Sequence, residues 1–134
     1  LDGQFFEPTV IADATADMVC AKEETFGPFA PIFKFKTEQE AIDAANNTEF
    51  GLASYFYSRD VGRIFRVSEA LEYGMVGINV GVPATMAMFP FTGWDDSFYG
   101  DLHIQGKEAV QFYTQQKVIT TRWFGGEVGD VWKK

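Results

Sequence analysis

The chain has 134 residues and a net charge of -8, with 46% hydrophobic and 16% aromatic side chains, 14 of them phenylalanine. That composition suits one folded domain with a core and excludes a disordered chain. The acidic balance argues against a nucleic-acid partner, which calls for a basic face. One cysteine, Cys20, excludes an internal disulfide and a cysteine-based zinc site, and one histidine, His103, excludes a histidine-rich metal site.

Leu1 stands where a complete chain would begin with Met, so the reading is of a piece of something longer, or a processed product. No apolar run reaches membrane-spanning length, and the N-terminus lacks the basic-then-apolar pattern of a signal peptide. With a single cysteine, a reducing compartment fits best. "PIFKFK" (31–36) alternates like a strand, with Phe33 and Phe35 on one face. "TEQEAIDAANN" (37–47) then reads as a helix. Thr37 and Glu40 have capping-box spacing, and Ala41, Ile42 and Ala45 form an apolar stripe. "LASYFYS" (52–58) is compact and aromatic, a good strand. Asp60 can cap a second helix with Val61, Ile64, Phe65, Ser68 and Leu71 on its apolar face, and Gly74 suits a left-handed stop. "MVGINV" (75–80) reads as a buried strand.

Alternating strands and helices predict an α/β fold, a mostly parallel sheet with right-handed crossover helices. A parallel sheet needs cover on both faces, and two helices of this size do not supply it, so partner chain is expected to be missing. Residues 81–101 form a long connection rich in Gly, Pro, Met and aromatics, a length that usually serves function. A helix over Lys107–Gln115 follows, with Ala109, Val110 and Tyr113 inward. "KVITTRW" (117–123) reads as a final strand, with Val118 and Thr120 on one face and Ile119 and Thr121 on the other. The end, 125–134, reads as a loose tail.

No nucleophile–base–orienter set is visible, and no glycine-rich phosphate loop. Cys20 reads as a small buried packing residue and His103 as structural or solvent-facing. The segment "KEETFGP", Lys22 to Pro28, is the chemical feature left. Adjacent carboxylates on an extended segment point to opposite sides, so Glu23 can face solvent or Lys22 while Glu24 faces a cleft. A carboxylate accepts hydrogen bonds from vicinal hydroxyls, and Phe26, on the side of Glu24, can pack on a planar ring. On composition alone a charged surface turn is favoured over that functional reading.

"KEETFGP" resembles a signature of the aldehyde dehydrogenase superfamily, and other pieces stand around it in the family's order. "GQFFEPTVIADATADM" precedes it; "AANNTEFGLASYFYSRD", "EYGMVGIN", "PFTGW", "GKEAVQFYT" and "KVITTRW" follow. The resemblance spans residues 1–123 and implies the C-terminal part of the catalytic domain at 1–116, an oligomerisation strand at 117–124, and the tail at 125–134. It implies a homo-oligomer through 117–123, a small aldehyde substrate, no membrane, and NAD or NADP as cofactor in the full-length family.

Residue by residue, the resemblance makes Glu24 the glutamate that binds the nicotinamide ribose and Phe26 the aromatic beside the nicotinamide. Phe91 matches an aromatic of the aldehyde tunnel, and Thr85, in the adjoining loop 82–90, is a stand-in for a serine that meets the substrate carboxylate. Asn79 ends the strand leading into that loop, either as a ligand contact or as a structural cap. The family's catalytic cysteine and general-base glutamate lie upstream, so Cys20 is not the nucleophile and the chain by itself is expected to be inactive. Residues 3–81 are similar to succinate-semialdehyde dehydrogenases, and 82–123 to methylmalonate-semialdehyde dehydrogenases, which acylate coenzyme A. The implied function is part of an NAD(P)-dependent oxidation of a semialdehyde, succinate semialdehyde first. A coenzyme A-acylating fragment and a non-catalytic subunit-interaction module are the alternatives. The expected location is the cytoplasm, or the mitochondrial matrix in a eukaryote.

Overall fold

The computed structural model describes residues 3–123. Short strands β1 (Thr9–Ile11) and β2 (Phe29–Pro31) pair in parallel, Thr9 opposite Phe29 and Ile11 opposite Pro31. Between them a single 3₁₀ turn covers Val19–Ala21. The strand expected at 31–36 therefore lies earlier and only touches that window at Pro31. The ladder ends when the Ile32 N–H donates to the Ile11 carbonyl and the Ala14 N–H to the Ile32 carbonyl. Beyond this point Phe33 and Phe35 have no neighbouring strand and stand exposed.

Helix α1 (Glu38–Asn46) starts where its cap predicts. The Thr37 hydroxyl accepts from the Glu40 N–H at 3.2 Å. The Glu40 carboxylate reaches back to the Lys36 N–H at 2.7 Å, one residue beyond the usual capping-box partner. Strand β3 (Phe50–Gly51) follows, then β4 (Ala53–Phe56), inside the expected 52–58. Helix α2 (Val61–Ala70) is capped by Asp60, whose carboxylate accepts from the Arg63 N–H at 2.6 Å. Strand β5 (Met75–Ile78) returns parallel to β4, Ala53 opposite Met75 and Phe56 opposite Ile78. This β4–α2–β5 unit is the predicted crossover.

Strand β6 (Trp94–Asp95) pairs antiparallel with β3, and helix α3 (Gly106–Tyr113) closes the described chain. The described strands thus form three two-stranded sheets, two parallel and one antiparallel, rather than one continuous sheet.

The core lies between α1, α2 and β5. Ile42, Val67 and Leu71 are buried together, with Ala45, Phe56, Ala70, Tyr73 and Val76 packed around them. Each such aliphatic contributes about 1.5–3 kcal/mol by leaving water. The apolar stripe of α2 is rotated from the expected one. Val67 and Leu71 point inward with Ile64 and Ser68 half-buried, while Val61 and Phe65 are exposed. Contact with Ile42 on α1 selects that face; periodicity alone allowed either flank.

Two cross-links hold the helices together. The Asn46 side chain donates to the Ala70 carbonyl at 2.7 Å and accepts from the Glu72 N–H at 3.0 Å, closing the C-terminus of α2. Glu38 pairs with Arg63 at 2.7 Å and Arg66 at 3.1 Å.

Gly74 is not a left-handed stop, because it is absent from the positive-φ residues and Leu71 already ends α2 in an extended conformation. Its small size answers to packing. A Cβ there would sit 2.6 Å from the Thr92 carbonyl carbon and oxygen. On α3, Ala109 is half-buried, but Val110 and Tyr113 are exposed rather than inward. Residues 114–123 are exposed throughout and join none of the strand ladders among the described residues, so the strand expected at 117–123 is not formed within this chain. A strand exists by pairing, and this segment has no adjacent edge within the described chain. Residue 124 of the expected strand and the expected tail at 125–134 lie outside the described residues.

The accessible surface is 11926 Å². A compact monomer of this length exposes roughly 7,000 Å². Among the described residues, bare apolar side chains stand on several elements, such as Tyr55, Phe65 and Phe112. This agrees with the expectation that the sheets lack their cover.

Candidate functional site

The KEETFGP loop leaves the 3₁₀ turn and enters β2, where the Phe29 N–H donates to the Gly27 carbonyl at 2.8 Å. Gly27 has φ 155°, in the region that favours glycine, and a Cβ there would meet nothing within 4 Å, so the backbone conformation rather than space selects glycine. Glu24 is exposed, and within the described residues it has no hydrogen-bond or ionic partner. Neither glutamate of the pair bonds to Lys22. Phe26 is 91% exposed.

Glu24 lines an open groove of about 660 Å³ with Cys20, Tyr55, Tyr73, Asp96 and Ser97. Its walls come from the 3₁₀ turn, from β3 and β4, and from the turn after β6. Cys20 is half-buried on that wall rather than packed in a core, because the turn carrying it buries no residue. The Ser97 hydroxyl accepts from the Gly51 N–H at 3.1 Å, which fixes the turn after β6 against β3. The Tyr73 hydroxyl donates to the Ala45 carbonyl at 2.6 Å, and burial, then the charge of Asp95, pushes its phenol upward from the ordinary value. Tyr73 therefore stays a neutral donor, committed to the backbone. Sequence reading missed this lining, since Tyr73, Asp96 and Ser97 carry no motif and meet Glu24 only through the fold.

Phe26, Thr85 and Phe91 do not line this groove. Phe91 stands at the far end of the 82–90 loop, where its N–H donates to the Ile104 carbonyl at 2.8 Å in an antiparallel bridge. Its ring is 37% exposed. The Thr85 Oγ1 is buried and without a partner in the described residues. A buried hydroxyl left unbonded costs about 1–3 kcal/mol, so it is a free donor in want of an acceptor.

Asn79 is a structural clamp. Its φ is 58°, left-handed, the region Asn tolerates best after Gly. Its side chain accepts from the Ser58 N–H and donates to the Ser58 carbonyl, both at 2.9 Å. This double bond pattern ties the end of β5 to the end of β4 and turns the chain into the loop. Of its two sequence readings, the cap is the one the structure supports.

His103 also has a structural place. Its Nδ1 lies 2.6 Å from Glu108 Oε2, its backbone N–H donates to the same oxygen at 2.5 Å, and its ring stacks on Phe98 with centroids 4.3 Å apart. Those bonds, the backbone one first, hold the Glu108 carboxyl below its ordinary value. Among the described residues no cluster of His, Cys, Asp or Glu could hold a metal ion.

The family described as "Aldehyde dehydrogenase family" matches residues 1–119. A malonate-semialdehyde dehydrogenase of Geobacillus kaustophilus is 45% identical over 91% of this chain and 25% of its own length. The crystal structure of succinate-semialdehyde dehydrogenase from Burkholderia pseudomallei is 55% identical, with a TM-score of 0.69 over 78% of this chain and 21% of that one. That of methylmalonate-semialdehyde dehydrogenase from Oceanimonas doudoroffii is 37% identical, with a TM-score of 0.88 over 93% and 26%. The chain spans about a quarter of the length of the curated relatives it matches. Relatives of both the succinate and the malonate or methylmalonate type are thus among those this chain resembles.

Proposed function

The chain belongs to the aldehyde dehydrogenase family, and from that premise we propose that it forms the coenzyme-facing C-terminal quarter of an NAD(P)-dependent semialdehyde dehydrogenase. The observation that carries this reading is the bare edge of the KEETFGP loop, where a 91% exposed Phe26 ring stands two residues from the unpartnered Glu24 carboxylate. Exposing a phenyl ring to water forgoes about 1.5–3 kcal/mol, which a covering planar surface would recover.

The residues present fit one side of a dinucleotide. The Glu24 oxygens can accept from vicinal ribose hydroxyls, and Phe26 can pack on a flat ring. NAD(P), when bound, supplies the hydride acceptor. Glu24 and Phe26 orient and do no covalent work; the thiolate and the general base belong to the rest of the subunit, and Cys20 is not assigned that role. On the aldehyde side, Phe91 supplies an apolar wall and the Thr85 hydroxyl a donor for an acid group on the substrate.

The substrate class is a small semialdehyde bearing an acid. Succinate semialdehyde is the first reading. Methylmalonate semialdehyde is the second, on the resemblance of residues 82–123 to methylmalonate-semialdehyde dehydrogenases.

The test is made in a full-length subunit carrying this segment. Glu24→Gln lowers kcat by about tenfold or more at saturating coenzyme, because a loosely held nicotinamide is misaligned for hydride transfer, while the aldehyde KM stays within about twofold. Unchanged turnover refutes the role. The 134-residue chain alone shows no turnover with NAD(P) and aldehyde; measurable turnover would make Cys20 a nucleophile after all.

A further inference from the structure

We propose that His103 is a positioning residue that holds Phe91 and its loop in place through the backbone of Ile104, and so sets aldehyde binding; this rests on the reading of Phe91 as an aldehyde-pocket wall. The His103–Glu108 contacts and the Phe98 stack form a clasp whose two ends bracket Ile104, Gln105, Gly106 and Lys107.

That bracketed turn is strained. Gln105 and Gly106 both have positive φ, 75° and 61°. A non-glycine residue there costs on the order of 1–3 kcal/mol and persists only when its surroundings over-determine it. The clasp is such a surrounding. Glu108 sits in the first turn of α3, so its grip on His103 fixes the entry angle of the helix and the turn before it.

The substrate-side loop hangs on this turn at two points. The Phe91 N–H donates to the Ile104 carbonyl at 2.8 Å, and the Gly106 N–H donates to the Ala87 carbonyl at 3.1 Å. The loop also packs directly onto Gly106, where an added Cβ would lie 3.0 Å from the Met88 carbonyl oxygen. Residues 87–91 are thus registered against the turn that His103 locks. Relaxing the turn moves the Ile104 carbonyl, and Phe91 follows it.

The test uses the full-length subunit carrying this sequence, read by amide exchange over residues 86–92 and by steady-state kinetics. His103→Phe keeps a ring for Phe98 and removes the Nδ1 donor. It is expected to speed exchange about tenfold and to raise the aldehyde KM roughly tenfold, with kcat and the coenzyme KM within about twofold. His103→Asn, which restores an N–H aimed at Glu108, recovers most of both. Glu108→Leu, which removes the acceptor at similar volume, reproduces the His103→Phe pattern with the histidine intact, and serves if His103→Phe does not fold.

Unchanged exchange overturns the proposal. So does faster exchange with an unmoved aldehyde KM, or a parallel loss of kcat, both KM values and thermal stability, which would mark general destabilisation. Phe91→Ala measured alongside separates the two layers: if it too leaves the aldehyde KM unchanged, the pocket assignment of Phe91 has failed rather than the clasp.

Discussion

Asn79→Ala removes a clamp whose value follows from its geometry. Two hydrogen bonds to Ser58 are lost, both 2.9 Å and both exposed. Each is worth about 0.5–1 kcal/mol net in that setting. Alanine must also hold a φ of 58°, which costs about 1 kcal/mol that Asn partly and Gly wholly avoids. The expected loss is about 2–3 kcal/mol for Asn79→Ala and about 1–2 kcal/mol for Asn79→Gly. Urea denaturation of the two variants beside the unmodified protein reads both numbers, and the difference between them isolates the backbone strain. Equal losses for Ala and Gly would show that the left-handed turn costs nothing here. A loss under about 0.5 kcal/mol for Asn79→Ala would refute the clamp itself.

Further expectations concern packing and charge. Gly74→Ala drives a Cβ to 2.6 Å from the Thr92 carbonyl, backbone that has no side-chain freedom to yield; a loss of about 2–3 kcal/mol in urea is expected. Gly81→Ala, whose Cβ would meet only the Tyr57 hydroxyl at 3.6 Å, should be near neutral, and equal losses at both sites would refute the packing argument. Glu38 is held below its ordinary carboxylate value by hydrogen bonds first from Arg66, then from Arg63. A depressed folded value means the contribution is present above the unfolded value of 4.5 and is lost as pH falls through the folded one. The stability gap between the protein and Glu38→Gln should therefore be present at about pH 6 and close as the pH drops below 4.5. A gap that stays constant into acid would show that the ion pair contributes nothing.

The proposed coenzyme side of the candidate site was legible as a motif. Taken by charge and spacing alone, Glu23 and Glu24 describe a solvated turn, and only the ordered neighbourhood of family pieces gives Glu24 a role. The groove behind Glu24 was not legible, because Tyr73, Asp96 and Ser97 reach it from other elements. The clasp had a faint signal, a glutamate in the first turn of a helix five residues after a histidine, with no rule to separate it from a surface pair.

The sequence by itself determined the local events: where α1 and α2 begin, the β4 and β5 segments, and family membership. Caps and periodicity act within a few residues, so the chemistry that sets them is contiguous. Tertiary structure decided the rest: which face of α2 is buried, that Gly74 is small for packing, and that Asn79 is a clamp. The partners that decide these matters lie far along the chain: 18 positions for Gly74 and Thr92, 24 for Asn46 and Ala70, 21 for Asn79 and Ser58. No local rule spans such a distance, since those contacts exist only once the crossover has brought the strand ends side by side.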